Sequence, residues 1–396
     1  MSTFFQLWSS ELPINSEDKS TLQLARQNGY DLARAILLPF VIILHVGLVF
    51  SPMSPQPVMR VVNQSTSWWF DILGMYIHSF RAPCFFMLSG YFASFVFNRD
   101  GLLGLWKGRK TRLILPLIIS TPICFMVTHF VFSANRITSN WEFLSLFSFS
   151  KLASGFLNYG LYHLWFLYLV LPMNFILALV DQRFFKKPKF ILLSSVIGVV
   201  GLFILFISAP NGIVQVPVGP IPSLRAFLIY FLFFFFGWCF FKLRRQLIFT
   251  KKTSIFFFGL GSVAYVISVF LIYNRIIKFG SDSALIGFAN GFIHLFLTLG
   301  FFIFFSTPIQ FRSKIVGYLT DSSYWIYLIH GPVFLLGSVW VISSTWPAIT
   351  EAVLLIAFTH AVGFLSYALL ARKKWFETHL GDRSLRKEYG LWGHKL

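Results

Sequence analysis

Apolar stretches about twenty residues long recur along the whole chain, separated by short polar and basic segments. Ten of them run roughly over 32–51, 69–97, 113–132, 161–180, 190–209, 225–241, 254–273, 284–306, 322–342 and 349–371. About 20 apolar residues in a helix cross the roughly 30 Å hydrocarbon core of a bilayer. In lipid every backbone amide must be satisfied within its own segment, so each stretch predicts a helix. The expected fold is an all-α polytopic membrane protein, a bundle of about ten transmembrane helices. The 69–97 stretch is long for a single crossing and is expected to tilt or to overhang the bilayer. No internal repeat or low-complexity tract interrupts the pattern.

Composition agrees. Only 12% of the 396 residues are charged, against about 25% in a soluble domain, so most of the surface does not face water. The net charge of +19 would suggest nucleic acid in a soluble chain, but here the basic residues sit in short segments between apolar stretches. Segments on one side hold 26 Lys and Arg, those on the other side hold six, and Arg81 lies inside a stretch. The positive-inside rule then places both termini in the cytoplasm. Nucleic acid is not an expected partner; the lipid bilayer is. Cys84, Cys124 and Cys239 all fall in apolar stretches, at spacings that give neither a disulfide framework nor a metal site. Residues 1–30 show no cleavable signal pattern. FFQLW near the start hints at an interfacial segment, so 1–30 is read as cytoplasmic or interfacial, 31–371 as the membrane domain and 372–396 as a basic cytoplasmic tail.

Polar residues inside lipid are costly and mark function by default. In YDLARAILLPFVIILH (30–45), Arg34 heads the first stretch and His45 follows eleven residues later. Eleven residues of helix rise about 16 Å and return to within about 20° of the same face. Arg34 at the inner mouth and His45 near mid-depth therefore outline one wall of a polar shaft. In HSFRAPCFFMLSGYFA (78–93), His78 and Arg81 lie three apart on one face in the outer part of the helix; snorkelling to the outer interface would account for Arg81, and so would a cavity or partner that it faces. In LWKGRKTRLILP (105–116), Arg109 and Arg112 are also three apart at the cytoplasmic start of the third stretch. Ordinary positive-inside charge would account for them; so would a clamp for a phosphorylated ligand, since guanidinium binds phosphate bidentately. His163 sits at the outer end of the fourth stretch, and His330 sits about eight residues into the ninth, ahead of Pro332. Each of these two, taken alone, reads as structural.

No acidic residue falls near the centre of a stretch, although ion-coupled transporters usually carry one there. No phosphate-binding loop, paired-carboxylate site or His/Cys metal cluster appears. Polar chemistry within the membrane rests on histidine and arginine.

Taken together, these motifs are familiar. The Asp31/Arg34-headed first helix with His45, the RxxR of Arg109 and Arg112 followed by Pro116, SGYF (89–92) and SYWIYLIHGP (323–332) resemble the membrane acyltransferase type 3 family. The similarity covers nearly the whole chain in matching order. HSFRAPCFFMLSGYFA and HLWFLYLVL (163–171) resemble in particular the subgroup that decorates osmoregulated periplasmic glucans. The resemblance implies a ten-helix enzyme of the bacterial inner membrane that moves an acyl group from cytoplasmic acyl-CoA to a hydroxyl of an extracytoplasmic glycan. For the subgroup the acyl group is succinyl. By position, His45 matches the family's essential first-helix histidine, and Arg109 and Arg112 match its cytoplasmic arginine motif. Asp31, Arg34, His78, Arg81 and His163 match subgroup positions. The periplasmic esterase-like domain appended to some members is not expected here.

The expected site follows from these readings. His45, Arg81 and His78 are the candidate catalytic residues. Arg34, Arg109, Arg112, His163 and His330 are the candidates for holding acyl-CoA and acceptor. Succinyl-CoA or acetyl-CoA is a co-substrate rather than a bound cofactor, and no metal is expected. Glucan-synthesis machinery is an expected partner. Three other readings stay open: an O-acetyltransferase of another envelope glycan, a glycan or lipid transporter without covalent chemistry, and an assembly subunit of a glucan-synthesis complex.

Overall fold

The structure, a computed structural model, describes residues 16–52, 66–134, 147–185, 187–209, 216, 218–247, 249–278, 280–307, 314–341 and 346–371. FFQLW, Arg60, Arg136, His379, His394 and the 372–396 tail lie outside the described residues. Among the described residues the chain is helical and contains no strand. We label the helices α1 (Ser16–Phe50), α2 (Trp68–Arg109), α3 (Leu115–Ala134), α4 (Phe149–Tyr159), α5 (Trp165–Phe184), α6 (Pro188–Ile207), α7 (Leu224–Leu243), α8 (Lys251–Tyr273), α9 (Ser283–Ser306), α10 (Lys314–Val341) and α11 (Ala348–Ser366). Eight helical stretches among the described residues are long and apolar enough to cross a membrane. Two of the expected spans, 69–97 and all but the last residue of 113–132, fall within one of these eight, which runs over Trp68–Val131.

α2 continues past the expected end of the second stretch to Arg109. It kinks at Gly101, whose φ of 67° suits a residue without Cβ. A π-helical turn at Lys110–Ile114 then leads into α3. The segment between the expected third and fourth stretches holds the short helix α4. It docks on α3 through His129 Nδ1 and the Tyr159 hydroxyl, 2.7 Å apart, with Gly155 pressed so close to His129 that a Cβ would not fit.

The core of the bundle pairs α2 with α7 and α8 with α9, while α1 packs between α2 and α10. Lipid tails are as apolar as Leu, so close packing rather than water exclusion holds such helices together. The α2–α7 contact shows how. A Cβ on Gly90 would sit 1.9 Å from the Phe234 carbonyl oxygen, and one on Gly237 would sit 1.8 Å from that of Met87. Two backbones meet there because neither carries a side chain. Around this contact Phe86 stacks on Tyr230, with ring centroids 4.8 Å apart. On the same helices, Lys242 bonds Asp181 at 2.8 Å and Asn98 at 2.9 Å, tying the ends of α7, α5 and α2 together.

Candidate functional site

A cavity of about 310 Å³ opens among α1, α2, α5 and α10, and its wall contains Arg34, His45, Arg81, Arg109, Arg112 and His163. Both Arg34 and His45 line it, so it extends along at least the roughly 16 Å of α1 between them. Much of the wall is aromatic, with Phe85, Phe92, Phe95 and Phe166. A concave site with an apolar wall and convergent polar groups is the usual form of a small-molecule site.

Three arginines gather at one end. Arg34 pairs with Asp31 at 3.2 Å and lies over the Phe92 ring at 4.9 Å. The Arg109 Nε donates to the Asn174 side-chain oxygen at 3.0 Å, which braces the guanidinium from α5. The Arg112 carbonyl accepts the Tyr324 hydroxyl at 2.5 Å.

The deep end is built around a break before α5. The N–H groups of Leu161 and Tyr162 both donate to the Val218 carbonyl, at 3.0 and 2.9 Å. Tyr162 takes a positive φ of 40°, a conformation uncommon for any side-chain-bearing residue and enriched at functional sites. A 3-10 turn over Tyr162–Leu164 then swings His163 against α10. Its Nε2 donates to the Leu328 carbonyl at 3.0 Å, and the Tyr327 hydroxyl donates to the His163 carbonyl at 2.7 Å. A proline is responsible: Pro332, four residues after Leu328, leaves that carbonyl without a helical donor.

His45 lies where these elements meet. Its ring stacks on Phe334 at 5.8 Å and stands 5.3 Å from His330 and 6.2 Å from Tyr162. Four buried polar atoms here have no hydrogen-bond partner among the described residues: His45 Nδ1, Arg81 Nε, His163 Nδ1 and His330 Nε2. Buried polar groups are nearly always paired, and each exception calls for an explanation. Four in one place mark a site that is polar by design.

The structure thus brings together six of the eight candidate residues. His330 stands behind His45 instead of in the cavity wall, and is 1% exposed. His78 does not line the cavity either. Three residues turn a helix by about 300°, which leaves Arg81 facing the cavity and turns His78 toward α9, where its ring lies 6.3 Å from His294. Sequence reasoning missed Asn174, Tyr324 and Tyr327. Asn174 was visible as a polar residue inside an apolar stretch. Tyr324, Tyr327 and His330, each three apart, form one face of α10. Among the described residues no group of His, Cys, Asp and Glu is arranged to hold a metal ion.

Comparison with known proteins adds the following. A family model described as an acyltransferase domain matches residues 27–368. Glucans biosynthesis protein C of Escherichia coli O1:K1 / APEC is 25% identical over 350 residues, covering 81% of this chain and 86% of the relative. The protein of the same name from Shigella dysenteriae serotype 1 is 26% identical over 348 residues, with 81% and 86% covered. That of Salmonella paratyphi B is 29% identical over 175 residues, 43% of each chain. No solved structure matches.

Proposed function

The chain belongs to the acyltransferase family whose model spans residues 27–368, and on that premise we propose that it carries an acyl group across the bilayer midplane from cytoplasmic acyl-CoA to a hydroxyl of an extracytoplasmic glucan. One observation carries this reading: a single cavity joins the arginines at one end to His45 and Arg81 in its depth.

In this reading the phosphates of acyl-CoA rest on Arg109 and Arg112, with Arg34 beside them, because guanidinium groups bind phosphate bidentately. The pantetheine arm extends up the shaft and carries the thioester to His45. A glucan hydroxyl enters from the outer side. His45 takes the hydroxyl proton as the oxygen attacks the thioester carbon. The C–S bond breaks, and the CoA thiolate leaves with the proton. A positioned base of this kind contributes about 10²–10⁴-fold. Arg81, the cation beside His45 in the cavity wall, stabilises the developing oxyanion or receives the free carboxylate of a succinyl group; the latter favours succinyl over acetyl. The names of the relatives support glucan as the acceptor. The bias of 26 Lys and Arg against six supports ten crossings with both termini in the cytoplasm. A bacterial inner membrane, with glucan-synthesis machinery nearby, is the setting this chemistry needs.

Purified protein in nanodiscs, given succinyl-CoA or acetyl-CoA labelled in the acyl group and periplasmic glucan, tests the proposal. Label on the glucan is the expected result, with succinyl preferred. A glucan that stays unlabelled with both donors would reject it, and mass spectrometry of envelope glycans with and without the gene gives the same answer in cells.

A further inference from the structure

The chemistry of His45 needs a partner that holds its imidazole in one tautomer, and the carboxylate of its own helix is not at hand: Asp31 lies fourteen residues back, about 21 Å away. We propose that His330 is that partner, a positioning residue that receives the Nδ1–H of His45 on its own Nε2 and so leaves the His45 Nε2 free as the base. This rests on the reading of His45 as base.

Hydrogen bonding around His330 settles its own tautomer. Its Nδ1 lies 2.7 Å from the Tyr327 carbonyl. A carbonyl can only accept, so Nδ1 carries the proton, and the neutral ring presents a lone pair at Nε2. That Nε2 is buried without a partner among the described residues, and so is the His45 Nδ1. One is an acceptor and the other becomes a donor in the tautomer that base catalysis requires. Their ring centroids stand 5.3 Å apart. A shared N–H···N bond of roughly 3 Å plus the two ring radii puts imidazole centroids about 5 Å apart. No hydrogen bond joins them as they stand, and catalytic pairs commonly tighten only when substrate fills the site.

Of the other neighbours of His45, Tyr162 stands farther off, with ring centroids 6.2 Å apart, and the rest do not serve. His163, whose ring centroid is 4.6 Å from that of His330, has its Nε2–H committed to Leu328. Its Nδ1 lies against Gly331, where a Cβ would approach to 2.2 Å. The Arg81 Nε is a donor and cannot accept a proton from His45. Phe334, which stacks on the other side of His45, has no polar atom. This leaves a chain of three: the Tyr327 carbonyl holds His330, His330 holds His45, and His45 faces the cavity. No net proton passes along it. The proton His45 takes from the glucan hydroxyl at Nε2 goes to the departing thiolate, and the Nδ1–H stays where it is.

Two amide variants separate positioning from packing. In His330→Asn the side-chain NH₂ reaches the Tyr327 carbonyl, but nothing reaches the Nε2 position. In His330→Gln the longer side chain places its amide oxygen there to accept from His45. Rates are taken per mole of folded, monodisperse full-length protein, with labelled acyl-CoA and glucan. His330→Asn is expected to lower kcat by roughly 10²-fold, within the range for a positioned base, with the KM for acyl-CoA within about two-fold of wild type. His330→Gln is expected to recover at least about ten-fold over His330→Asn. Equal kcat in the two variants, whether high or low, overturns the proposal. So does failure of both to fold, which would assign His330 to packing. His45→Ala separates this result from the reading beneath it. An active His45→Ala removes the base itself, whereas an inactive His45→Ala beside equal amide variants removes only the partnership.

Discussion

His163 donates its Nε2–H to the carbonyl of Leu328 at 3.0 Å, and that carbonyl is free because Pro332 follows it by one helical turn. A proline inside a helix normally leaves a loss. Here the loss on α10 becomes the socket that fixes the first turn of α5. The Tyr327 hydroxyl closes the same joint from the other side.

His163→Ala is expected to lower stability by about 1 kcal/mol, the net worth of one hydrogen bond, because the Cys124 Sγ–H still reaches the Leu328 carbonyl at 3.7 Å. Pro332→Ala restores an N–H for Leu328, so the double variant should lose less than the sum of the two single losses. Thermal melts of the detergent-solubilised protein measure the cycle; strictly additive losses would show that the two residues do not share this carbonyl.

His45→Ala is expected to leave a folded, membrane-inserted protein with no detectable acyl transfer. Labelled acyl-CoA with purified protein is the assay. Transfer at the wild-type rate would remove His45 from the chemistry.

Asn174→Ala is expected to mimic, more weakly, the effect of Arg109→Ala. It removes the side-chain oxygen that braces Arg109 at 3.0 Å without touching the charge. Arg109→Ala and Arg112→Ala should each raise the KM for acyl-CoA about ten-fold or more, since hydrogen bonds to charged groups are worth about 1.5–3 kcal/mol. Asn174→Ala should raise it by a smaller factor with kcat little changed. Unchanged donor affinity in all three would reduce the arginine pair to a topology signal.

Gly90→Ala and Gly237→Ala are each expected to abolish recovery of folded protein or to lower its melting temperature sharply. The added methyl would lie within 2 Å of a backbone carbonyl oxygen across the α2–α7 contact, where no flexible side chain can move aside. Gly201→Ala, which meets nothing within 4 Å, is the control and should behave as wild type.

The linear pattern carried much of the site. Arg34 and His45 were placed on one wall by helical periodicity alone, and both line the cavity. Arg109 and Arg112 were paired by their spacing, and the π-helical turn between α2 and α3 keeps both in the same wall. His78 and Arg81 were paired by the same logic, yet only Arg81 reaches the cavity. Three residues fall about 60° short of a full turn, and what each then faces depends on which neighbouring helix lies there. The helix α4 has eleven residues, too few to stand out as a membrane span in the linear pattern.

From its own residues, the sequence determined that the chain is a series of apolar helices, and it marked which side chains along each helix look the same way. Those are local properties, set by a 3.6-residue repeat and by the cost of polar groups in lipid. The meeting of His45, His163 and His330 was decided only by the tertiary structure. They come from three elements far apart in the chain, and their distances follow from how closely the helices approach, from a strained Tyr162 held by Val218, and from the Leu328 carbonyl that Pro332 leaves for His163 to fill. No periodicity along one helix encodes the gap to the next.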